Sequence, residues 1–500
     1  MISTQRISSD RETAWRLAVA GLTVLGLALR VAAGRGELWL DEIWSIDLLR
    51  RAHSFGEIFW GISHDNNHFL NSVWLWIVGP YAPPLVHRAA SIVLGSACAP
   101  LAAWAARRDA GERYGWAAGL LAAAFFALCH PFVHFGSEAR GYAGMTAMQL
   151  WLWIALSRLL EKPEDRRVWI EIVASIALGC LFNLTMVVGA GMLCAAYVLR
   201  VAFAEGRTVA VARAVRVVML AFYGVAPAGA AVLAGALYTH MIEGGERHAF
   251  TLGALADGQA AIYRATLGLP MGTPAPAVLA AVAAIAIAAL LAVPAQARIA
   301  PLAALLGPAA LEWLARAPNL EFARFHLFSA TAFLLLVAEA LACALASPRA
   351  PVRAIAIAGV AAAALGAGVQ NAALIEIGRG DYARAVDEME AGGAARYASN
   401  MSGETTTVVR YLATRDGKAS AYVDYDRCGA PAPDWYVHSV YAPRMIPQPD
   451  EILVGPTQCP LRFDKAGEFP AWGLSGMQWT LYRRAAGPAH RPSPGPTPGE

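Results

Sequence analysis

Residues 38–71, LWLDEIWSIDLLRRAHSFGEIFWGISHDNNHFLN, separate two strongly apolar segments of the chain. The stretch begins with the adjacent carboxylates of Asp41 and Glu42 and ends with the polar residues 64–68, and Trp and Phe side chains lie between them. It is too polar to cross a bilayer, and aromatic side chains concentrate at the membrane–water interface. The stretch therefore predicts a polar site on a membrane surface.

The rest of the chain has the composition of a polytopic membrane protein. Hydrophobic residues make up 57% of the 500 residues, and the mean hydropathy is +0.44. Charged residues account for 15%, well below the roughly 25% of a typical globular chain. The formal charge of +3 is small and the sequence has no basic stripe, so nucleic acid is not predicted as a partner.

Charge-poor runs of about 20 apolar residues predict membrane spans. The eleven predicted spans are residues 17–33, 85–106, 115–132, 142–156, 169–182, 186–201, 217–238, 278–293, 299–314, 327–346 and 354–373. Basic residues accumulate in cytoplasmic loops, and the Arg-rich loops here follow alternate spans. The N-terminus is therefore predicted to be cytoplasmic, with residues 38–71 and the C-terminal region on the outer side.

The first apolar run also has features of a signal peptide, since Arg6, Arg11 and Arg16 precede it. Arg30 inside the run and the many later spans favour an uncleaved first helix instead.

Two short segments near the first span predict helices in the membrane interface. Residues 67–79 would extend about 20 Å as a helix, short of the roughly 30 Å hydrocarbon core. Phe55, Ile58, Phe59 and Ile62 recur at helical spacing and predict a second surface helix just before it.

The composition changes at about residue 376. We predict a membrane domain over residues 1–375, a small α/β domain over 376–485 and a disordered Pro-rich tail over 486–500. Residues 381–400 predict a helix, and residues 421–425, 434–441, 451–455 and 477–484 predict strands. 

The seven cysteines fall into two groups. Cys428 and Cys459 lie in the polar C-terminal third, and a disulfide between them becomes possible if this region is outside the cytoplasm. The others lie in apolar runs and fit small buried side chains: Cys98, Cys129, Cys180, Cys194 and Cys343.

Polar clusters at the predicted outer ends of the spans supply the candidate site. The candidate residues are Asp41, Glu42, His64, Asp65, Asn67, His68, Arg88, Glu138, Arg140, Tyr142, Arg324 and His326. Structural interpretations exist for several: Asp41 as a helix N-cap, Glu138 with Arg140 as a local ion pair, and Arg88 reaching toward headgroups. The convergence of several clusters on one face of a charge-poor protein favours a site.

Five segments in the same order resemble GT-C glycosyltransferases of the family 39 type, related to protein O-mannosyltransferases and aminoarabinose transferases. The segments are LWLDE, HDNNHFLNSVWLWIVGP, HRAASIVLG, PFVHFGSEARGYA and FARFHLFSA, and the similarity covers roughly residues 15–345. Phe69 and Leu70 replace the two prolines of the family's N-H-P-P-L segment, and Phe325 replaces the Tyr of its later R-Y motif.

The resemblance implies an all-α polytopic membrane protein of GT-C-like fold, with about eleven transmembrane helices and a small C-terminal α/β domain. It implies a bacterial inner-membrane enzyme that moves a sugar from a polyprenyl-phosphate donor to a glycan, lipid or protein acceptor on the outer face, among membrane lipids. Whether a divalent cation takes part stays open.

The resemblance also implies roles for the residues. Asp41 would be the general base, and Glu42 would orient the acceptor or hold a cation. Arg140 and Arg324, supported by Arg88 or by the pair Arg50 and Arg51, would bind the carrier phosphate, because a guanidinium can hold two phosphate oxygens. His68 and Asn67 would bind sugar or phosphate oxygens.

Other classes of protein remain as alternatives. A transporter or lipid flippase would need polar residues at mid-membrane depth and interrupted spans, whereas these clusters lie at span ends. A receptor or assembly protein would not need so many spans. Among enzymes, an oligosaccharide ligase or a polymer-extending transferase fits the same motifs.

Overall fold

A computed structural model of the chain describes residues 2–239, 248–294, 298–441 and 447–485. The chain divides into two compact units. The first comprises Met1–Arg35 and Ser45–Ile375, and the second comprises Gly36–Trp44 and Glu376–Glu500. The segment predicted to be a disordered tail, 486–500, lies outside the described residues.

The helices as far as residue 377 are as follows. They are α1 (Ile2–Ala33), α2 (Leu40–Leu49), α3 (Glu57–Trp60), α4 (Phe69–Val78), α5 (Pro84–Asp109), α6 (Gly111–Leu128), α7 (His130–Phe135), α8 (Tyr142–Glu161), α9 (Arg166–Phe182), α10 (Met186–Glu205), α11 (Arg207–Thr239), α12 (Leu252–Thr266), α13 (Ala275–Ala292), α14 (Ile299–Ala315), α15 (Leu327–Leu345) and α16 (Ala350–Ile377).

Each of the eleven apolar runs forms a helix, and the prediction of a helical membrane protein with a small C-terminal domain is confirmed. Among the described residues, seven helices are long and apolar enough to cross a membrane; they lie in α1, α5, α10, α11, α13, α15 and α16. Small side chains let α5 and α6 pack closely, since Ala99, Ala102, Ala118 and Ala122 are fully buried.

The helices after the first span differ in detail from the prediction. α4 has 10 residues, too few to cross a bilayer, as its sequence predicts. The second surface helix is only the single turn α3, because Gly56 and Gly61 flank it and glycine disfavours helix. Asp41 lies inside the first turn of α2, so the interpretation of Asp41 as an N-cap is wrong.

The second unit contains a mixed six-stranded sheet with two helices. Its elements are α17 (Tyr382–Glu390), β1 (Arg396–Ser399), α18 (Ser402–Asp416), β2 (Ala421–Tyr422), β3 (Trp435–Tyr441), β4 (Glu451–Val454), β5 (Leu461–Phe469) and β6 (Met477–Arg484). The strand order is β2-β1-β3-β6-β5-β4, in which β1 is parallel to β2 and β3 and the other pairs are antiparallel.

The predicted helix over residues 381–400 is only half correct. α17 ends at Glu390, and Gly393 follows with a positive φ of 107°, which glycine adopts without strain. The chain then enters β1, where Tyr397 is buried. The four predicted strands are present, and Cys428 and Cys459 form a disulfide with their Cα atoms 5.9 Å apart.

The segment Gly36–Trp44 belongs to the second unit although it follows the first span in sequence. The backbone N–H of Ala383 donates a hydrogen bond to Glu37 Oε2 at 3.0 Å. Leu38, Trp39 and Leu40 are buried. The acidic pair Asp41 and Glu42 is therefore part of the second unit.

Candidate functional site

A buried polar cluster lies in the first unit where α4 and α8 begin. We call it the Arg140 cluster; it consists of Asn66, His68, Glu138, Arg140, Tyr142 and Asn183. Its residues come from the loop before α4, the turn before α8 and the turn after α9. Four of the six are candidates predicted from the sequence: His68, Glu138, Arg140 and Tyr142. Asn66 and Asn183 are not among those candidates.

Arg140 is held from several directions. It is 5% exposed, and its Nη2 donates to Asn66 Oδ1. Its backbone carbonyl accepts a hydrogen bond from Ser91 Oγ at 2.8 Å, and its guanidinium lies 4.9 Å from the centroid of the Tyr142 ring. A cation that is buried and fixed in this way is suited to bind an anion.

Gly141 keeps the turn of Arg140 in place. A Cβ at this position would lie 1.8 Å from the carbonyl oxygen of Phe182, so only glycine fits here. The turn therefore packs directly on the end of α9.

His68 is a neutral imidazole in this environment. Burial removes its ring from water and the positive charge of Arg140 lies near it, so the pKa of His68 is well below its ordinary value. Nδ1 lies 3.5 Å from Asn183 Nδ2, and Nε2 has no hydrogen-bond partner among the described residues. His68 thus keeps one buried ring nitrogen whose hydrogen-bonding capacity is unused among the described residues.

Glu138 is fully buried, and its Oε1 lies 3.1 Å from His134 Nε2. His134 is four residues earlier, on α7, so helical spacing is the signal that could have identified it. The Asn71 amide fixes the same turn by donating to the carbonyl of Ala139 at 2.7 Å.

Asn67 and Arg88 make structural contacts. The Asn67 amide donates to the carbonyls of Ile58 and Ile62 and accepts from Ser72 Oγ, so it ties α3 to α4. Arg88 is fully buried and donates to the carbonyl of Gly34 at 2.9 Å, so it does not reach toward headgroups.

The two remaining candidates before α4 adjoin the cluster. His64 Nδ1 lies 2.9 Å from Asp65 Oδ1. Asp65 is exposed and lines a cavity of about 480 Å³.

A short 3₁₀ helix, Ala323–His326, carries the later pair of candidates. Arg324 is half-buried and lies 4.3 Å from the ring centroid of Phe322, and its charge contributes to the lowered pKa of His68. His326 has both ring nitrogens occupied, by Gln259 Nε2 at 2.9 Å and by the carbonyl of Leu320 at 2.8 Å. Arg324 therefore places a positive charge near the Arg140 cluster. His326, in contrast, is held by a hydrogen bond to Gln259 on α12.

Asp41 and Glu42 lie in the second unit, in the first turn of α2. Glu42 is fully buried, and its Oε2 accepts a hydrogen bond from the backbone N–H of Trp39 at 3.1 Å. Asp41 is 9% exposed. In the described part of the chain, no group of three or more His, Cys, Asp or Glu side chains is arranged to hold a metal ion.

The apolar helices are those of a polytopic membrane protein, and the structural comparisons show a GT-C-like fold. The chain is similar to the crystal structure of ArnT from Cupriavidus metallidurans bound to undecaprenyl phosphate, at 12% identity and a TM-score of 0.53, over 94% of this chain and 98% of that chain. It is also similar to ArnT of the same organism in the apo state, at 14% identity and a TM-score of 0.50, over 85% of this chain and 93% of that chain. Likeness at this level of identity establishes the fold.

No protein-family model matches the sequence, and no curated protein matches it.

Proposed function

We propose that this protein is an integral membrane glycosyltransferase that moves a sugar from a polyprenyl-phosphate-linked donor to a glycan, lipid or protein acceptor. The observation that carries the proposal is the fold shared, over 94% of the chain, with ArnT bound to undecaprenyl phosphate. The Arg140 cluster supports it, because buried polar groups in a membrane protein are costly and concentrate where function requires them.

Arg140 is the proposed ligand of the carrier phosphate. A lipid-linked donor keeps its isoprenoid chain in the bilayer and its phosphate at the headgroup plane. The phosphate gains negative charge as the glycosidic bond breaks, and a fixed guanidinium stabilises that charge. Arg324 supplies a second positive charge from the 3₁₀ helix, while the contact of Arg88 with Gly34 makes Arg88 a supporting residue.

Asp41 is the proposed general base. In the reaction, the acceptor hydroxyl oxygen forms a bond to the anomeric carbon, and the bond from that carbon to the phosphate oxygen breaks. The electron pair passes to the phosphate, and the hydroxyl proton passes to the carboxylate of Asp41. Glu42 is the less suitable base, because its carboxylate is fully buried and accepts the N–H of Trp39.

His68 is proposed to hold a sugar hydroxyl. A neutral imidazole binds a hydroxyl without adding a charge beside Arg140, and the buried Nε2 gains the hydrogen bond that it lacks. Asn66 is proposed to orient Arg140.

Binding of undecaprenyl phosphate by the purified full-length protein tests the donor assignment. We expect the Arg140→Ala variant to bind at least about tenfold more weakly, because a charge-assisted contact to the phosphate is lost. Arg107→Ala is the matched control, since Arg107 is also packed on aromatic rings but lies at the other end of α5. Equal affinities of the two variants would contradict the phosphate site.

A further inference from the structure

The 480 Å³ cavity lies in the first unit where α8 and α10 begin and α14 ends. Its polar lining side chains are Asp65, Thr185, Glu312 and Asn319. The rest of the wall is apolar and includes Met145 and Phe328. Among the described residues that line the cavity, none is Lys, Arg or His.

Glu312 contributes an acceptor that the protein does not satisfy. Its Oε2 is buried and has no hydrogen-bond partner among the described residues. His326 Nδ1 lies 3.4 Å from this oxygen, but that nitrogen already accepts the hydrogen bond of Gln259 Nε2. A buried carboxylate oxygen is costly without a donor, so a ligand with a donor group gains a hydrogen bond here.

The charge of the described lining disfavours anions. Phosphate sites are built from Arg, Lys and backbone N–H groups, whereas this cavity has the carboxylates of Asp65 and Glu312. A phosphate placed here would be repelled by both. The cavity is therefore suited to a neutral donor group on an apolar body.

The cavity wall is continuous with the Arg140 cluster. Asp65 directly precedes Asn66, which accepts the hydrogen bond from Arg140. Thr185 Oγ1 donates to Asn183 Oδ1 at 2.7 Å, and Asn183 Nδ2 lies 3.5 Å from the His68 ring. A ligand in the cavity would thus be adjacent to a phosphate held by Arg140.

We infer that this cavity is the acceptor site and that the acceptor is a hydroxyl-bearing amphiphile whose reactive end carries no negative charge. The inference rests on the proposed transferase function. The apolar body packs against Met145 and Phe328. A neutral donor group of the acceptor, separate from the reacting hydroxyl, donates toward Glu312. The volume lies within the range of about 300–1,000 Å³ found for small-molecule sites.

Photolabelling of the full-length protein in phosphatidylcholine vesicles tests this assignment without any turnover. The probes are a ten-carbon diazirine alcohol and its phosphate monoester, used at equal concentration, with labelled peptides mapped by mass spectrometry. We expect the alcohol to label peptides containing Met145 or Phe328 about tenfold more than the phosphate ester does.

Two variants and one control sharpen the test. Glu312→Gln should reduce the preference for the alcohol to below about threefold, because the repelling charge is removed. Gly189→Ala should lower labelling by the alcohol, since a Cβ there would lie 1.6 Å from the Phe328 ring and displace it. Glu205→Gln, in an exposed pair with Arg213, should behave as the wild type does.

Equal labelling by the two probes, or labelling only outside the cavity, would overturn the acceptor assignment. These results are separable from the proposed function. Sugar transfer without any preference for the alcohol would refute the cavity assignment alone. Preference for the alcohol in a protein that transfers no sugar would refute the transferase and leave the ligand chemistry of the cavity intact.

Discussion

The two ends of the helix bundle in the first unit carry similar residue types in opposite environments. At the end where α5 and α8 finish, Arg107 forms a half-buried ion pair with Glu12 at 2.8 Å. Arg108 forms a second pair there, at 2.7 Å, with the exposed Glu161. At the end where these helices begin, Arg140 is buried among polar side chains. Exposed ion pairs contribute little to stability, whereas burying a polar group without need is costly. The asymmetry supports the proposal that the Arg140 end is the functional one.

Burial alone does not identify a site. Asp109, at the end of α5, is also buried, but it accepts hydrogen bonds from Trp153 Nε1 and Ser157 Oγ and lies 3.6 Å from Arg200. Its carboxylate is satisfied within the protein and joins three helices. His68 differs from Asp109 because its Nε2 has no hydrogen-bond partner among the described residues.

The largest predicted effect contrasts an arginine from each end. Arg140→Ala should reduce sugar transfer about 10²-fold, because the charge that stabilises the leaving phosphate is lost. The transfer rate of Arg140→Lys should lie between those of Arg140→Ala and the wild type, because lysine keeps the positive charge but not the planar guanidinium. Initial rates in reconstituted vesicles measure the effect. A comparable loss in Arg107→Ala would remove the distinction between the two ends.

The next prediction concerns the turn that positions Arg140. Gly141→Ala should lower the free energy of unfolding by about 1–3 kcal/mol, because its Cβ would overlap the Phe182 carbonyl. The rate of sugar transfer should also fall, because the displaced turn carries Arg140. Gly191→Ala on α10 is the matched control, since no atom lies within 4 Å of its Cβ position. Thermal unfolding in detergent compares the two variants, and identical midpoints would show that the turn is not tightly packed.

A smaller effect should appear in the pH dependence of stability. The pKa of folded His68 lies well below its ordinary value of 6.5, so the unfolded chain binds a proton that the folded protein does not. The free energy of unfolding should therefore be independent of His68 ionisation above about pH 6.5 and should decrease as the pH falls below that value. His68→Gln should flatten this dependence. An unchanged pH profile in the variant would show that His68 is not buried as a neutral ring.

The smallest effect concerns orientation and should leave activity unchanged. A thiol reagent confined to the outer side should label Cys428 only after reduction, because Cys428 is bonded to Cys459. An Arg108→Cys variant, with its thiol at the end where α5 finishes, should be labelled only from the cytoplasmic side. The reverse result would invert the predicted topology.

Sequence reasoning located the helices well because each apolar run must satisfy its own backbone hydrogen bonds in the bilayer, so hydropathy alone is informative. Hydropathy does not reveal contacts between distant segments. Asn66 and Arg140 are 74 residues apart, so nothing in the sequence marks Asn66 as the partner of that arginine.

The same limit applies in the second unit. β5 was missed because Arg462, Asp464 and Glu468 interrupt its apolar pattern and only one of its faces is buried. The assignment of Gly36–Trp44 to the second unit depends on packing with residues more than 300 positions away, such as Ala383. Local sequence patterns contain no information on such contacts.

The most direct test of the account is lipid and glycan profiling of cells that lack the protein and are complemented with wild-type, Asp41→Asn or Arg107→Gln chains. We predict that one defined sugar modification is lost without the protein, returns with the wild type and with Arg107→Gln, and stays at least about 10²-fold lower with Asp41→Asn, because the general base is lost. Normal levels of every sugar in the cells without the protein, or full restoration by Asp41→Asn at equal expression, would contradict it.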